Sequence, residues 1–253
     1  MTTTTHADIA DSPAEGQLVA LARMAREMFS EARLDDTVDK VVLLAAETFP
    51  CDGVGLLLAP DGEAVTVAAS THRDAARADT LQLETRQGPG LQAIDRRQPV
   101  IGTELRFDSR WRFWAPLAAD LGFRSVLSLS LFDGDTAGAL NLYSRHPSFF
   151  QSADLPLAQV FAQHASIAVA VAAERQQLLQ AIESRGVVGQ AQGILMHRYG
   201  ISNEQSMTIL RRYSTHLEHK LRVVAEDVIR DQRLPELELA DEAPHAMPDG
   251  PRS

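Results

Sequence analysis

From Leu157 to Arg185 the chain runs for 29 residues without a glycine or a proline. Within that stretch Ala158, Phe161, Ala165, Ala168, Ala172, Arg175, Leu179 and Ile182 alternate steps of three and four, the spacing of one helix face. A second line, Val160, His164, Ile167, Val171, Glu174 and Leu178, keeps the same rhythm. A helix of this length with two apolar lines has two surfaces to cover. One suits a sheet; the other suits a second copy of the same helix, so a homodimer is expected. Asp154 as cap and Pro156 in the first turn open the helix.

On its N-terminal side the pattern is mixed. Residues 1–16 are polar, with no apolar signal core, and read as a disordered leader. From Gln17 to Glu47 the apolar residues return at helical spacing in two runs: Leu18, Leu21, Ala22, Ala25, Met28 and Phe29, then Val38, Val41, Val42, Ala45 and Ala46. Gly53–Ala59 and Ala64–Ser70 flank Pro60-Asp61-Gly62, a turn sequence that predicts a hairpin. Residues 73–124 are less regular. Gly88-Pro89-Gly90 predicts a turn before a short helix near Leu91–Arg97, and Pro99–Ile101 a brief strand. Trp111, Phe113 and Trp114 gather in a polar stretch, where loop packing onto a sheet outweighs a ligand pocket. Ser125–Phe132 alternates apolar and polar residues, and Asp133-Gly-Asp135 turns it back into Ala137–Tyr143.

The fold class that follows is α+β, an antiparallel sheet with helices. The order of elements, with Gly88-Pro89-Gly90, Arg124-Ser-Val-Leu-Ser128 and Gly138-Ala-Leu-Asn-Leu-Tyr-Ser144, resembles the GAF domain over residues 17–172. That resemblance implies a sensor of a small-molecule or protein signal and leaves the ligand-binding residues unknown. Related domains often carry Cys where Gly90 stands here, so thiol chemistry at that position is not expected. His72, His146 and His164 have no spacing that suggests haem ligation, and no cofactor is expected.

Beyond Arg185 the helical pattern meets Gly186, Gly189 and Gly193. Each helical glycine costs roughly 1 kcal/mol relative to alanine, so three in two turns need a reason. Their spacing puts them on one stripe, which allows either tight helix–helix packing or the close approach of another backbone. Gly200 stands where a helix stop belongs, and Ser202-Asn-Glu-Gln205 is a capping box for the next helix, with Met207, Leu210, Tyr213 and Leu217 inward. Leu221, Val224, Ala225, Val228 and Ile229 give a third helix. Charge separates along the chain as well. Residues 1–174 hold 14 basic and 23 acidic side chains, residues 175–233 hold 9 and 6, and the tail 234–253 holds 1 and 5. One basic segment in a protein of net charge −10 is the asymmetry that matters for a nucleic-acid partner.

This segment, Ser184-Arg-Gly-Val-Val-Gly-Gln-Ala-Gln-Gly-Ile-Leu-Met196, Tyr199-Gly-Ile-Ser202, Leu210-Arg-Arg-Tyr-Ser214 and Lys220-Leu-Arg-Val-Val-Ala225, closely resembles the ANTAR domain, with the domain set at 173–233. The resemblance implies binding to paired RNA hairpins in nascent transcripts and transcription antitermination. Arg185, Gly189, Gln190, Gln192, Gly193, Arg211, Arg212 and Lys220 are the candidate RNA-binding residues. Glycines admit a loop, Gln190 offers donor and acceptor to a base edge, and the cations meet phosphates or loop bases. The family pattern often has Lys where Gln192 stands, Asn at Glu218 and an acidic residue at Val223. The alternative is a DNA-binding three-helix output, whose recognition helix would hold Lys220 and Arg222, but Glu226, Asp227 and Asp231 follow them and the glycines have no role there.

Enzymatic chemistry is not expected, because no GxSxG, Walker, HExxH or deaminase cysteine signature occurs. His216 and His219 lack an obvious third metal ligand. The single Cys51 excludes an internal disulfide and reads as a packed side chain. With no apolar run read as membrane-spanning, a cytoplasmic location is expected. The acidic tail 234–253 reads as disordered and as a possible competitor for the basic segment, an idea that unchanged RNA affinity at low salt after tail deletion would end.

Overall fold

The computed structural model describes residues 23, 26–31, 33–59, 64–133 and 136–234. The leader, the first helical run through Ala22, the Pro60–Gly62 turn, Gly134-Asp135 and the tail from Pro235 lie outside them. The chain divides into two compact units between Gln177 and Leu178.

The first unit is built on five antiparallel strands: β1 (Gly53–Ala59), β2 (Thr66–Ser70), β3 (Val100–Gly102), β4 (Ser125–Asp133) and β5 (Thr136–Ser144), in the order β2-β1-β5-β4-β3. Both expected hairpins are present, β1 with β2 and β4 with β5. Strand alternation sends Val54, Leu56 and Leu58 to one face and Leu57 to the other. The first face is covered by α1 (Leu34–Thr48), through Val38, Val41, Val42 and Ala45, and by the N-terminal part of α5 (Leu155–Tyr199), through Ala158, Phe161, Ala165 and Ala168. The second face is covered by α2 (Arg73–Thr85), α3 (Pro89–Arg96) and α4 (Ala115–Asp120), with Trp111, Trp114, Phe123 and Tyr143 packed beneath.

One expectation, the irregular reading of residues 73–85, changes here. In β4, Ser125 and Ser128, on opposite faces of the strand, are both buried because both faces of the sheet are covered. Ser128 Oγ donates to Asn141 Oδ1 at 2.6 Å, which satisfies it without water. Residues 73–85, read as irregular, form a full helix. His72 caps it, its Nδ1 accepting from the Asp74 N–H (3.2 Å) while Nε2 lies 2.7 Å from the Asp52 carbonyl. Those contacts occupy both ring nitrogens in structure. Trp111 and Trp114 are core residues, donating to Gln92 Oε1 and to the Ala78 carbonyl, while Phe113 is exposed.

The helix α5 is one continuous element of 45 residues that passes through all three glycines. A 3₁₀ turn, Ser152–Asp154, precedes it, with the Gln151 N–H donating to Asp154 Oδ2. By length and composition α5 could cross a bilayer, yet many of its apolar residues, Phe161 and Val169 among them, cover the sheet. The line Ile167, Val171 and Leu178 is exposed.

The second unit consists of the C-terminal part of α5, α6 (Asn203–His216) and α7 (Leu221–Asp231) around Val188, Ala191, Leu195, Leu210, Val224, Ala225 and Val228. Gly200, at φ 65, ends α5 and its N–H donates to the Met196 carbonyl. The capping box forms as expected: the Gln205 N–H donates to Ser202 Oγ (3.2 Å) and the Ser202 N–H to Gln205 Oε1 (2.8 Å).

Candidate nucleic-acid interface

On α5 the buried residues Val188, Ala191, Gln192 and Leu195 define the inner face of the second unit. The opposite face carries Gly186, Gly189, Gln190, Gly193 and His197, all exposed, while Arg185, seven residues before Gln192, is exposed at the flank of the inner face. A β-carbon placed on Gly186, Gly189 or Gly193 would meet nothing within 4 Å. The glycines therefore make no room for a neighbouring helix within this chain. What they leave bare is the outer surface of α5.

The candidate residues separate into two kinds. Gly189, Gln190 and Gly193 share that outer face and Arg185 is exposed at its flank, whereas Arg211 and Arg212 are exposed on α6 and Lys220 is the residue before α7. Gln192 turns inward and is 8 % exposed. Its Nε2 donates to Asn203 Oδ1 at 2.8 Å and lies 3.2 Å from the Asn203 carbonyl and 3.3 Å from Ser206 Oγ, so it ties α5 to the first turn of α6. Its buried amide leaves the surface to its neighbours.

Ion pairing sorts the cations further. Arg222 bridges Glu183 on α5 and Glu226 on its own helix, and Arg230 holds Asp227 and Asp231. The resulting hydrogen bonds raise both guanidinium groups above their ordinary range. Among the described residues, Arg185, Arg198, Arg211, Arg212 and Lys220 make no such pair, so their charge remains available to an outside anion. Sequence reasoning counted Arg198 only as one basic side chain of the segment and did not single out His197; the structure sets both on a groove with Gln190, Gly193, Ile229 and Gln232. Only the α5–α7 packing could have shown that.

The first unit has its own buried chemistry. Asp79, Gln82, Asn141 and Tyr143 are fully buried between the sheet and α2. Asp79 Oδ1 accepts from the Tyr143 hydroxyl (2.5 Å), Asn141 Nδ2 (2.8 Å) and Gln82 Nε2 (3.1 Å), while Oδ2 has no partner. Burial pushes the carboxyl from its ordinary 3.8 up to about 7, against those three donors, which hold it down. Gln82 Oε1 accepts from the Gly90 N–H at 2.8 Å. Gly55 and Gly90 make the space: added β-carbons would stand 1.9 Å from Asp79 Oδ2 and 2.7 Å from Asn141 Oδ1. Cys51 is partly buried, and burial raises its thiol to about 11, which leaves little thiolate at neutral pH.

Comparison with known proteins agrees with both halves. Residues 33–169 match the GAF domain family, and residues 176–229 match the ANTAR domain family. No curated protein matches the chain. Among solved structures, the GAF domain of a phosphoenolpyruvate-protein phosphotransferase from Coxiella burnetii is 18% identical, with a TM-score of 0.53 over 66% of this chain and 99% of that one. The corresponding domain from Acinetobacter is 19% identical, with a TM-score of 0.50 over 62% and 94%. A free methionine-R-sulfoxide reductase from Neisseria meningitidis is 15% identical, with a TM-score of 0.50 over 68% and 98%. Identities this low speak for the fold alone. The GAF match covers more than half of the sequence and the ANTAR match follows it directly, so the protein belongs to the GAF domain family as a sensor module coupled to a regulatory ANTAR output.

Proposed function

We propose that this protein is a signal-responsive transcription antitermination regulator that binds paired RNA hairpins in nascent transcripts, in the cytoplasm. The observation that carries this reading is the outer face of α5: three glycines with no neighbour within 4 Å beside the exposed Arg185 and Gln190, inside the ANTAR match. Arg211, Arg212 and Lys220 supply further unpaired charge for phosphates. Gln192 serves the site indirectly, by holding α6 against α5. The sensor unit supplies control by a small-molecule or protein signal. A homodimer is supported by the exposed Ile167, Val171 and Leu178, spaced as a seam on α5. Two copies would present two interfaces to two hairpins.

The decisive experiment is a titration of the purified protein against a tandem-hairpin RNA and a DNA duplex of equal length, at two salt concentrations. Arg185→Ala and Gln190→Ala are measured beside the wild type. Loop-dependent RNA binding that both substitutions weaken by about tenfold each supports the reading. Preference for duplex DNA, or indifference to both substitutions, overturns it.

A further inference from the structure

Resting on the RNA reading above, we propose that the groove between the C-terminal ends of α5 and α7 receives one unstacked loop nucleotide, its base against Ile194 and Ile229 and its edge read by Gln190 and Gln232. The groove encloses about 800 Å³, within the range of small-ligand sites. Ile194 and Ile229 are half-buried, seated on the hydrophobic core beneath and open to the groove above. They offer aliphatic surface to a planar ring.

The polar groups around them suit the edge of a base. Gln190 is exposed and its amide makes no hydrogen bond among the described residues, so it keeps both donor and acceptor. Gln232, in the left-handed conformation at the end of α7, donates its Nε2 to the Ile229 carbonyl at 2.8 Å and keeps Oε1 as an acceptor. Gly193 leaves open the outer surface of α5 between them.

Charge selects the occupant. Among the described residues no carboxylate lines the groove, and His197 and the unpaired Arg198 stand on it. The carboxylates of α7 are answered within the chain, Glu226 by Arg222 and Asp227 and Asp231 by Arg230. Among the described residues, a phosphate entering here meets the Arg198 guanidinium and little opposing negative charge. An unstacked nucleotide, anionic at one end and planar at the other, matches that arrangement, whereas a duplex keeps its bases stacked inside.

The test is selection of a stem–loop RNA pool with randomised loops on the full chain, followed by titration of the selected hairpins. Ile229→Glu charges one wall. Gly193→Leu fills the groove from the outside, where nothing stands within 4 Å of the new β-carbon, so it leaves the core intact. We expect both variants to weaken the selected hairpins by about tenfold or more, with circular dichroism unchanged for Gly193→Leu. Removing one loop base to leave an abasic site should cost the wild type a similar factor and cost Gly193→Leu nothing further. Wild-type affinity in both variants overturns the groove while leaving the RNA reading in place. A shift in oligomeric state with unchanged RNA affinity overturns it in favour of a contact between copies. Failure of the wild type to select any hairpin removes the RNA reading, and the groove with it.

Discussion

Asp79 shows how much one side chain can ask of its surroundings. Three donors converge on one carboxylate oxygen, and the other oxygen lies against Gly55 with no partner. Because burial raises the folded carboxyl to about 7 from an ordinary 3.8, the folded chain keeps a proton that the unfolded chain has already released in that interval. The stability linked to Asp79 is therefore full below about pH 4, declines as pH rises, and is lost once pH passes about 7. Asp79→Asn should remove that decline, so denaturant midpoints of wild type and variant compared at about pH 5 and about pH 8 should diverge at the higher pH, with the variant the more stable. Gln192 makes the second residue-scale case. Gln192→Ala leaves Asn203 Oδ1 without its Gln192 donor, while the Asn203 carbonyl still accepts from Ser206 Oγ, and should cost about 1–2 kcal/mol of stability in the second unit, read by its thermal unfolding. The sequence marked position 192 as an RNA contact through the ANTAR resemblance, whose pattern often has Lys there. Whether an amide faces in or out depends on α6, and no local pattern carries that.

At the scale of elements, legibility followed the kind of side chain being buried. The β4–β5 hairpin and α6, with its capping box, could be read within a residue or two, because strand alternation and cap chemistry are local. The helix α2 could not. Its buried residues are Ala75, Ala78, Asp79, Leu81 and Gln82, and a face made of small and polar residues has no apolar rhythm. The three glycines of α5 lend themselves to a sharper test. They sit in open space inside a regular helix, so replacing Gly186, Gly189 and Gly193 together with alanine should stabilise α5 by up to about 1 kcal/mol per site. The same change should weaken RNA binding by adding methyl groups to the contact face. A higher melting temperature with lower RNA affinity is the expected pair of results. A higher melting temperature with unchanged affinity would leave the glycines without a binding role.

For the whole molecule, the division into an acidic sensor unit and a more basic output unit was readable from charge alone, whereas the continuity of α5 through its glycines required the packing of Val188, Ala191 and Leu195 on its inner side. The exposed line on α5 carries the oligomer prediction. Ile167→Glu with Val171→Glu should turn a dimer into a monomer in sedimentation experiments without unfolding the sensor, since both side chains are about half exposed. The sheet order has a kinetic consequence of its own. Its central pairing joins Gly53 to Tyr143 and Ala59 to Ala137, across most of the sensor, so the sheet cannot close until distant segments meet. The second unit needs only neighbouring helices. Low contact order favours speed, and after dilution from denaturant the output unit should recover its structure well before the sensor, with early recovery of helical signal and late burial of Trp111 and Trp114. Each refolding event would then open an interval in which the output unit is formed before the sensor that is coupled to it.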